Sequence, residues 1–279
     1  MAVRFGPAGV PIQCKESSSI GGVRCCAELG LKAMEIEFSH GVRMSEDYAK
    51  EIKPVAEELD VSLSSHAPYY VNLCSAEKST AKSSVKRIVH SAKLTSLTGG
   101  NITVFHPGYY QKHTPEEAYQ AAKKALVEIQ EELRENKIGI RLGAETVGKK
   151  SAFGGLEENI RLAQELEMVE PCIDFAHLLA RGDFNIKTEN DYRMIFGMLE
   201  KELGDYVQRF HCHFSEIEYS EKGERNHLPL GTRHEPPFKP FAKVLAENGY
   251  SGTVIIESPR LDFDALLLKS EYEKIKGEN

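Results

Sequence analysis

No apolar run in this chain approaches the ~20 residues needed to cross a bilayer. The first residues, MAVRFGPAGVP, lack the basic-then-apolar pattern of a secretory leader. Cysteine is sparse and scattered: positions 14, 25, 26, 74, 172 and 212 contain no CxxC spacing. That excludes a Cys-based zinc site and a disulfide framework, and it points to reduced thiols in a cytoplasmic protein. Cationic excess is missing as well. A formal net charge of -7 excludes a generally basic nucleic-acid binder but leaves room for a local cationic groove, because steering depends on where charge sits. Low-complexity tracts and linker-like shifts in composition are absent, so residues 1–279 read as one domain. A Gly-rich phosphate loop after the first strand is also absent, which disfavours an open dinucleotide-binding sheet.

What the chain does contain is an alternation of short β-rich runs with longer helical ones. VRFG (3–6), AMEIEF (33–38), VSLSSH (61–66), NITVFH (101–106), GIRLGAE (139–145), PCIDF (171–175), QRFHCHF (208–214) and GTVIIES (252–258) predict eight strands. The clearest helix spans 114–136, with Thr114 as cap, Pro115 at the first helical position and acids in the first turn. Another spans 45–59, with Pro54 expected to kink it. Eight strands, each followed by a helix, predict an α/β fold: a parallel sheet that closes, at this length, into a (β/α)8 barrel.

In such a barrel, reactive groups gather at the C-terminal ends of the strands. The third strand ends in His66, the fourth in His106 and the fifth in Glu145. The sixth ends in Asp174 with His177 three residues on, the seventh carries His211 and His213, and the eighth ends in Glu257. Any one of these has a structural explanation; an Asp at a strand end is ordinarily a helix cap. Together they crowd acids and imidazoles into one mouth, where unpaired carboxylates would repel and be driven toward protonation. Divalent cations remove that penalty, and imidazole with carboxylate suits zinc, with manganese or iron as alternatives. His211 and His213 share parity along their strand. His213, nearer the mouth, is taken as the ligand, with His211 a layer lower or as a supporting partner.

The segments HAPYYVNL, HPG, ETVGK, CIDFAH, HFSE, HLPLG and ESP occur in an order that resembles the endonuclease IV family of abasic-site nucleases, most nearly its short, archaeal-like branch. The resemblance covers roughly residues 60 to 260. It implies a barrel with two or three zinc ions that hydrolyses the DNA phosphodiester 5′ to an abasic site in base excision repair, leaving a 3′-hydroxyl and a 5′-deoxyribose phosphate. By motif, His66 and His106 would hold one metal, and Glu145 would bridge it to a second and position the nucleophile. Asp174, His213 and Glu257 would complete the second, and His177 and His227 would hold the third. The chain departs from the family before His227. Where the family has Asp-x-His, this sequence reads Glu224-Arg225-Asn226-His227, so Glu224 is the candidate carboxylate and Arg225 a candidate phosphate contact.

The resemblance further implies double-stranded DNA with an abasic site as partner, with Tyr69 as stacking or wedging residue. His40 and Arg43 would enter a groove, and Lys149 and Lys150 would meet phosphates. A monomer is expected. Two other readings stand beside this one: a sugar isomerase or epimerase on a xylose isomerase-like barrel, needing only one or two metals, and a barrel that binds without chemistry.

Overall fold

A computed structural model describes residues 3–278. Eight parallel strands form one sheet: β1 (Val3–Pro7), β2 (Ala33–Glu37), β3 (Ser62–His66), β4 (Ile102–Phe105), β5 (Arg141–Glu145), β6 (Val169–Asp174), β7 (Phe210–Phe214) and β8 (Gly252–Ile256). Their neighbours run in sequence order around the sheet, with β1 beside β8 at the far end, and helices fill the connections. The fold is therefore the expected (β/α)8 barrel. Its one irregular seam lies between β1 and β2, held by an isolated bridge from Ala8 to Glu35. Gly6 permits the approach: a Cβ there would fall on the carbonyl oxygen of Ala33.

Local chemistry explains the elements. The helix Pro115–Glu135 opens with a capping box in which Thr114 accepts from the Glu117 amide and the Glu117 carboxylate accepts from the Thr114 amide. The helix Glu46–Glu58 runs on through Pro54. Pro54 and Lys50 lie on the solvent face, where water can satisfy the carbonyl freed by the missing amide. Among the described residues no helix is long and apolar enough to cross a membrane, and all six cysteines are free thiols.

The apolar core lies between strands and helices. Phe175, Phe196, Phe214 and Phe241 pack ring on ring outside β6 and β7, while the inner face of the sheet is polar toward its C-terminal mouth. Register fixes which residues meet there. Glu37 pairs with His66, Glu145 with Cys172, and Asp174 with His213. Partners across adjacent strands point to the same face, so all of these side chains turn inward. Two additions lie outside the barrel strands: a short pairing of 108–109 with 152–153, and a hairpin, Glu216–Ser220 with Gly223–Leu228, that folds over the mouth.

Candidate metal centre

Glu145, fully buried at the end of β5, is the hub. Its Oε2 lies 2.9 Å from His66 Nε2 and 3.0 Å from His106 Nε2. Its Oε1 lies 3.2 Å from His177 Nδ1 and 3.4 Å from His213 Nδ1. One carboxylate thus faces two groups of imidazoles with different oxygens. Three sets of potential donors follow: His66, His106 and Glu145; Glu145, Asp174, His213 and Glu257; and Asp174, His177 and His227. Within each set the donor atoms lie within 4.8 Å of one another.

Asp174 has two roles, one for each oxygen. Its Oδ1 accepts from the His177 amide at 2.7 Å and caps the short helix Phe175–Arg181, while its Oδ2 faces inward. The capping geometry is what carries His177 round to the centre. Several histidines are oriented through Nδ1. His66 Nδ1 donates to the Ala67 carbonyl at 2.7 Å, His177 Nδ1 donates to the Thr146 carbonyl at 2.9 Å, and His227 Nδ1 meets Ser215 Oγ at 2.7 Å. Such outer contacts fix tautomer and ring direction, leaving the other nitrogen available.

The departure before His227 is resolved by the hairpin. Tyr219 pairs with Glu224 and Glu218 with Asn226, so Arg225 is the extra residue of a β-bulge. Ile217 pairs with His227, and Ile217 and Tyr219 share a face, so Glu224 and His227 do too. A regular strand would have put them on opposite faces. Glu224 Oε2 accepts from the Gly148 amide at 3.0 Å and lies 3.1 Å from His177 Nε2. Arg225 points into solvent on the bulge. Lys149 lies 3.7 Å from Glu224 Oε1, so its charge is already engaged there.

The residues fit a multinuclear divalent-metal centre. Glu145 Oε1, Asp174 Oδ2 and His213 Nδ1 are buried without a hydrogen-bond partner, and each such atom costs about 1–3 kcal/mol unless something satisfies it. Protons and cations compete for these donors. Burial opposes charge on His66, yet its hydrogen bond to Glu145 raises it to about 10. Against the same opposition, Asp174 and Glu145 hold His177 well above the usual histidine range. Burial pushes the Glu257 carboxyl up to about 8; His213 resists the shift, while Glu145 and Asp174 add repulsion.

Residues 23–276 match the family model described as xylose isomerase-like TIM barrel. The chain belongs to that family. A relative from Methanocaldococcus jannaschii, described as uncharacterized, is 40% identical over 272 residues, with 97% of each chain covered. A probable endonuclease 4 from Cenarchaeum symbiosum is 24% identical over 254 residues, covering 83% of this chain and 86% of its own. Two solved structures superpose equally well. Endonuclease IV from Thermus thermophilus gives a TM-score of 0.71 at 19% identity, covering 97% of this chain and 99% of its own. A D-tagatose 3-epimerase-like protein gives 0.71 at 21%, covering 100% and 99%.

In this xylose isomerase-like barrel two acids stand where the strand-end reading had none. Glu37 ends β2 on the wall of the mouth, opposite His66 in register. Glu35, two residues earlier, is fully buried inside the barrel, where its Oε2 accepts from Ser64 Oγ at 2.7 Å and lies 3.2 Å from His211 Nε2. The signal was present in AMEIEF: acids at alternating positions of an apolar strand face one way, and a buried acid requires a partner. At the rim, Tyr69 is 54% exposed and packs edge-on against His40 and Tyr70, with ring centroids 5.7 Å and 5.4 Å away. Arg43 lies with His40 and Glu37 along a cleft of about 830 Å³ beside the mouth, and Lys150 is exposed.

Proposed function

We propose that this barrel is a metal-dependent phosphodiesterase of the endonuclease IV type, hydrolysing DNA 5′ to an abasic site to leave a 3′-hydroxyl and a 5′-deoxyribose phosphate. The observation that carries this reading is the third donor set. Asp174, His177 and His227, with Glu224 beside them, extend the centre beyond the one or two cations that sugar isomerisation needs. The relatives called probable endonuclease 4 support it. His66, His106, Glu145, Asp174, His177, His213, His227 and Glu257 would hold the cations, with Glu224 as a further carboxylate. Bound divalent ions, zinc above all and manganese or iron as alternatives, activate water at neutral pH and neutralise phosphoryl charge. The chain's own groups do the rest. Glu145 keeps the donor sets in register and orients the attacking group for in-line displacement. Tyr69, with His40 beside it, offers an exposed aromatic edge to stack in a duplex opened at the lesion, where no base has to be unstacked. Arg43, Lys150 and Arg225 are the cations free to meet phosphates, and Lys149 joins them if it leaves Glu224.

A second reading rests on Glu37. A carboxylate on the cleft wall beside His66 suits a substrate hydroxyl or a proton on carbon, as epimerisation requires, and it repels a phosphate. The test is incubation of a duplex carrying one abasic site with the protein, before and after prolonged chelation. Cleavage 5′ to the site, abolished by chelation and restored by zinc or manganese, is the expected result. Metal-replete protein that leaves the duplex intact and epimerises a ketose would transfer the assignment to Glu37.

A further inference from the structure

The layer of the barrel beneath the mouth is unusual for a (β/α)8 interior, which is ordinarily filled by branched apolar side chains. Here register brings Glu35, Ser64, Cys172 and His211 inward, one step below the mouth residues Glu37, His66, Asp174 and His213. Glu35 and His211 lie at the centre of this layer, and both are buried. The two oxygens of Glu35 diverge. Oε2 is held by Ser64 Oγ at 2.7 Å and by His211 Nε2 at 3.2 Å, while Oε1 lies 2.9 Å from His213 Nε2 without hydrogen-bond alignment, both atoms being buried and without any other partner.

That last contact completes a pattern. His66 and His177 are each turned by a neutral backbone carbonyl and His227 by a hydroxyl. His213 instead has a carboxylate from the layer below behind its Nε2, and its Nδ1 faces Glu257 Oε1 at 3.2 Å and Glu145 Oε1 at 3.4 Å. We infer that Glu35 is a positioning residue: it keeps the proton of His213 on Nε2 and so makes Nδ1 the ligating atom of the second donor set. Ser64 and His211 hold the carboxylate itself. A buried carboxylate behind a metal-binding imidazole fixes the tautomer and raises its basicity, and loss of such a partner typically costs 10–100-fold in metal affinity. Cys172 lies in the same layer, with a donor atom within 4.8 Å of those of His211 and His213. On this assignment it packs as a thiol and holds no ion.

The inference rests on the metal-centre part of the proposed function, yet it is tested without DNA, so its failure and that of the nuclease reading are distinguishable. Metal-free parent and Glu35→Gln proteins would be titrated with zinc against a competing chelator. One ion of the set is expected to bind about 10–100-fold more weakly in Glu35→Gln, the others unchanged, with the thermal midpoint of the metal-free protein preserved. Parent affinity for every ion in folded Glu35→Gln protein would overturn the inference. Should that variant not fold, nitrogen-15 spectra of the histidine rings in zinc-loaded parent protein decide instead. Protonated Nε2 and metal-bound Nδ1 in His213 support it, and the reverse assignment overturns it. Cobalt substitution adds a third outcome: a thiolate-to-metal charge-transfer band lost in Cys172→Ser would make this layer a metal site of its own, with Glu35 a ligand.

Discussion

Asp174 offers the sharpest test, because its two oxygens do separable work. Oδ1 accepts from the His177 amide at 2.7 Å, and Oδ2 is buried without a partner among the inward donors. Asn retains a cap oxygen of the same reach and caps about as well as Asp, whereas Ala abolishes the cap at a cost of about 0.5–2 kcal/mol. The His177 amide is buried, and a buried unpaired donor costs about 1–3 kcal/mol, so the upper part of the capping range, about 2 kcal/mol, applies to Ala. A loss of 1 kcal/mol lowers the midpoint of a 150–250-residue protein by about 2–4 °C. For this longer chain, chelated Asp174→Ala protein should melt about 4 °C below chelated Asp174→Asn. Metal binding should divide the series differently. Both variants lack the second anionic oxygen that the second and third donor sets share. Their zinc affinity should fall at least as far as the 10–100-fold seen on losing an outer-shell partner. Calorimetry of metal-free protein measures the first effect and competitive zinc titration the second. Asn and Ala variants that melt together would refute the cap role, and an Asn variant that binds zinc like the parent would refute the ligand role.

Other positions give independent checks. A Cβ at Gly148 would overlap Glu224 Oε2 and press on His177, so Gly148→Ala should weaken one bound ion selectively; zinc stoichiometry equal to the parent's at matched free zinc would contradict this. Chelated protein should become less stable as pH rises. His66 is raised from 6.5 to about 10 and Glu257 from 4.5 to about 8. Each therefore binds more proton folded than unfolded, so the stability they contribute is lost from about pH 4.5 for Glu257 and pH 6.5 for His66, and is gone above about pH 10. Glu35 and Glu145, held low, act oppositely only around and below pH 4.5, so the fall is read above neutrality. Zinc-loaded protein should show the opposite trend up to neutrality, as protons cease to compete, and parallel melting curves for the two forms would refute the assignment. Tyr69→Ala should weaken binding to abasic duplex by about 1–3 kcal/mol, the scale of one base–aromatic stack, without moving the midpoint. Equal binding by gel shift would remove Tyr69 from the interface.

The eight strands were legible because each is a short β-branched or apolar run between longer helix-favouring segments, and barrel closure then follows from handedness and length. The strand-end donors His66, His106, Glu145, Asp174 and Glu257 were legible for the same reason: position in a (β/α)8 chain maps directly onto position at the mouth. Glu35 and Glu37 escaped notice because AMEIEF reads as an ordinary strand until a neighbour in space, His213 or His66, shows which way the acids point. Glu224 was named as the carboxylate beside His227, yet on a regular strand two residues three apart would face opposite ways. Only the bulge at Arg225 puts both on one face, and a bulge depends on how two strands pair. Lys149 looked like a free cation until the hairpin brought Glu224 to it. By itself, then, the sequence determined the barrel and brought most of the potential donors to its mouth, since both follow from local pattern and strand order. Tertiary structure decided which atom of each donor faces the centre, what holds it there and which charges are already paired, because those depend on contacts between residues as far apart as Glu35 and His213.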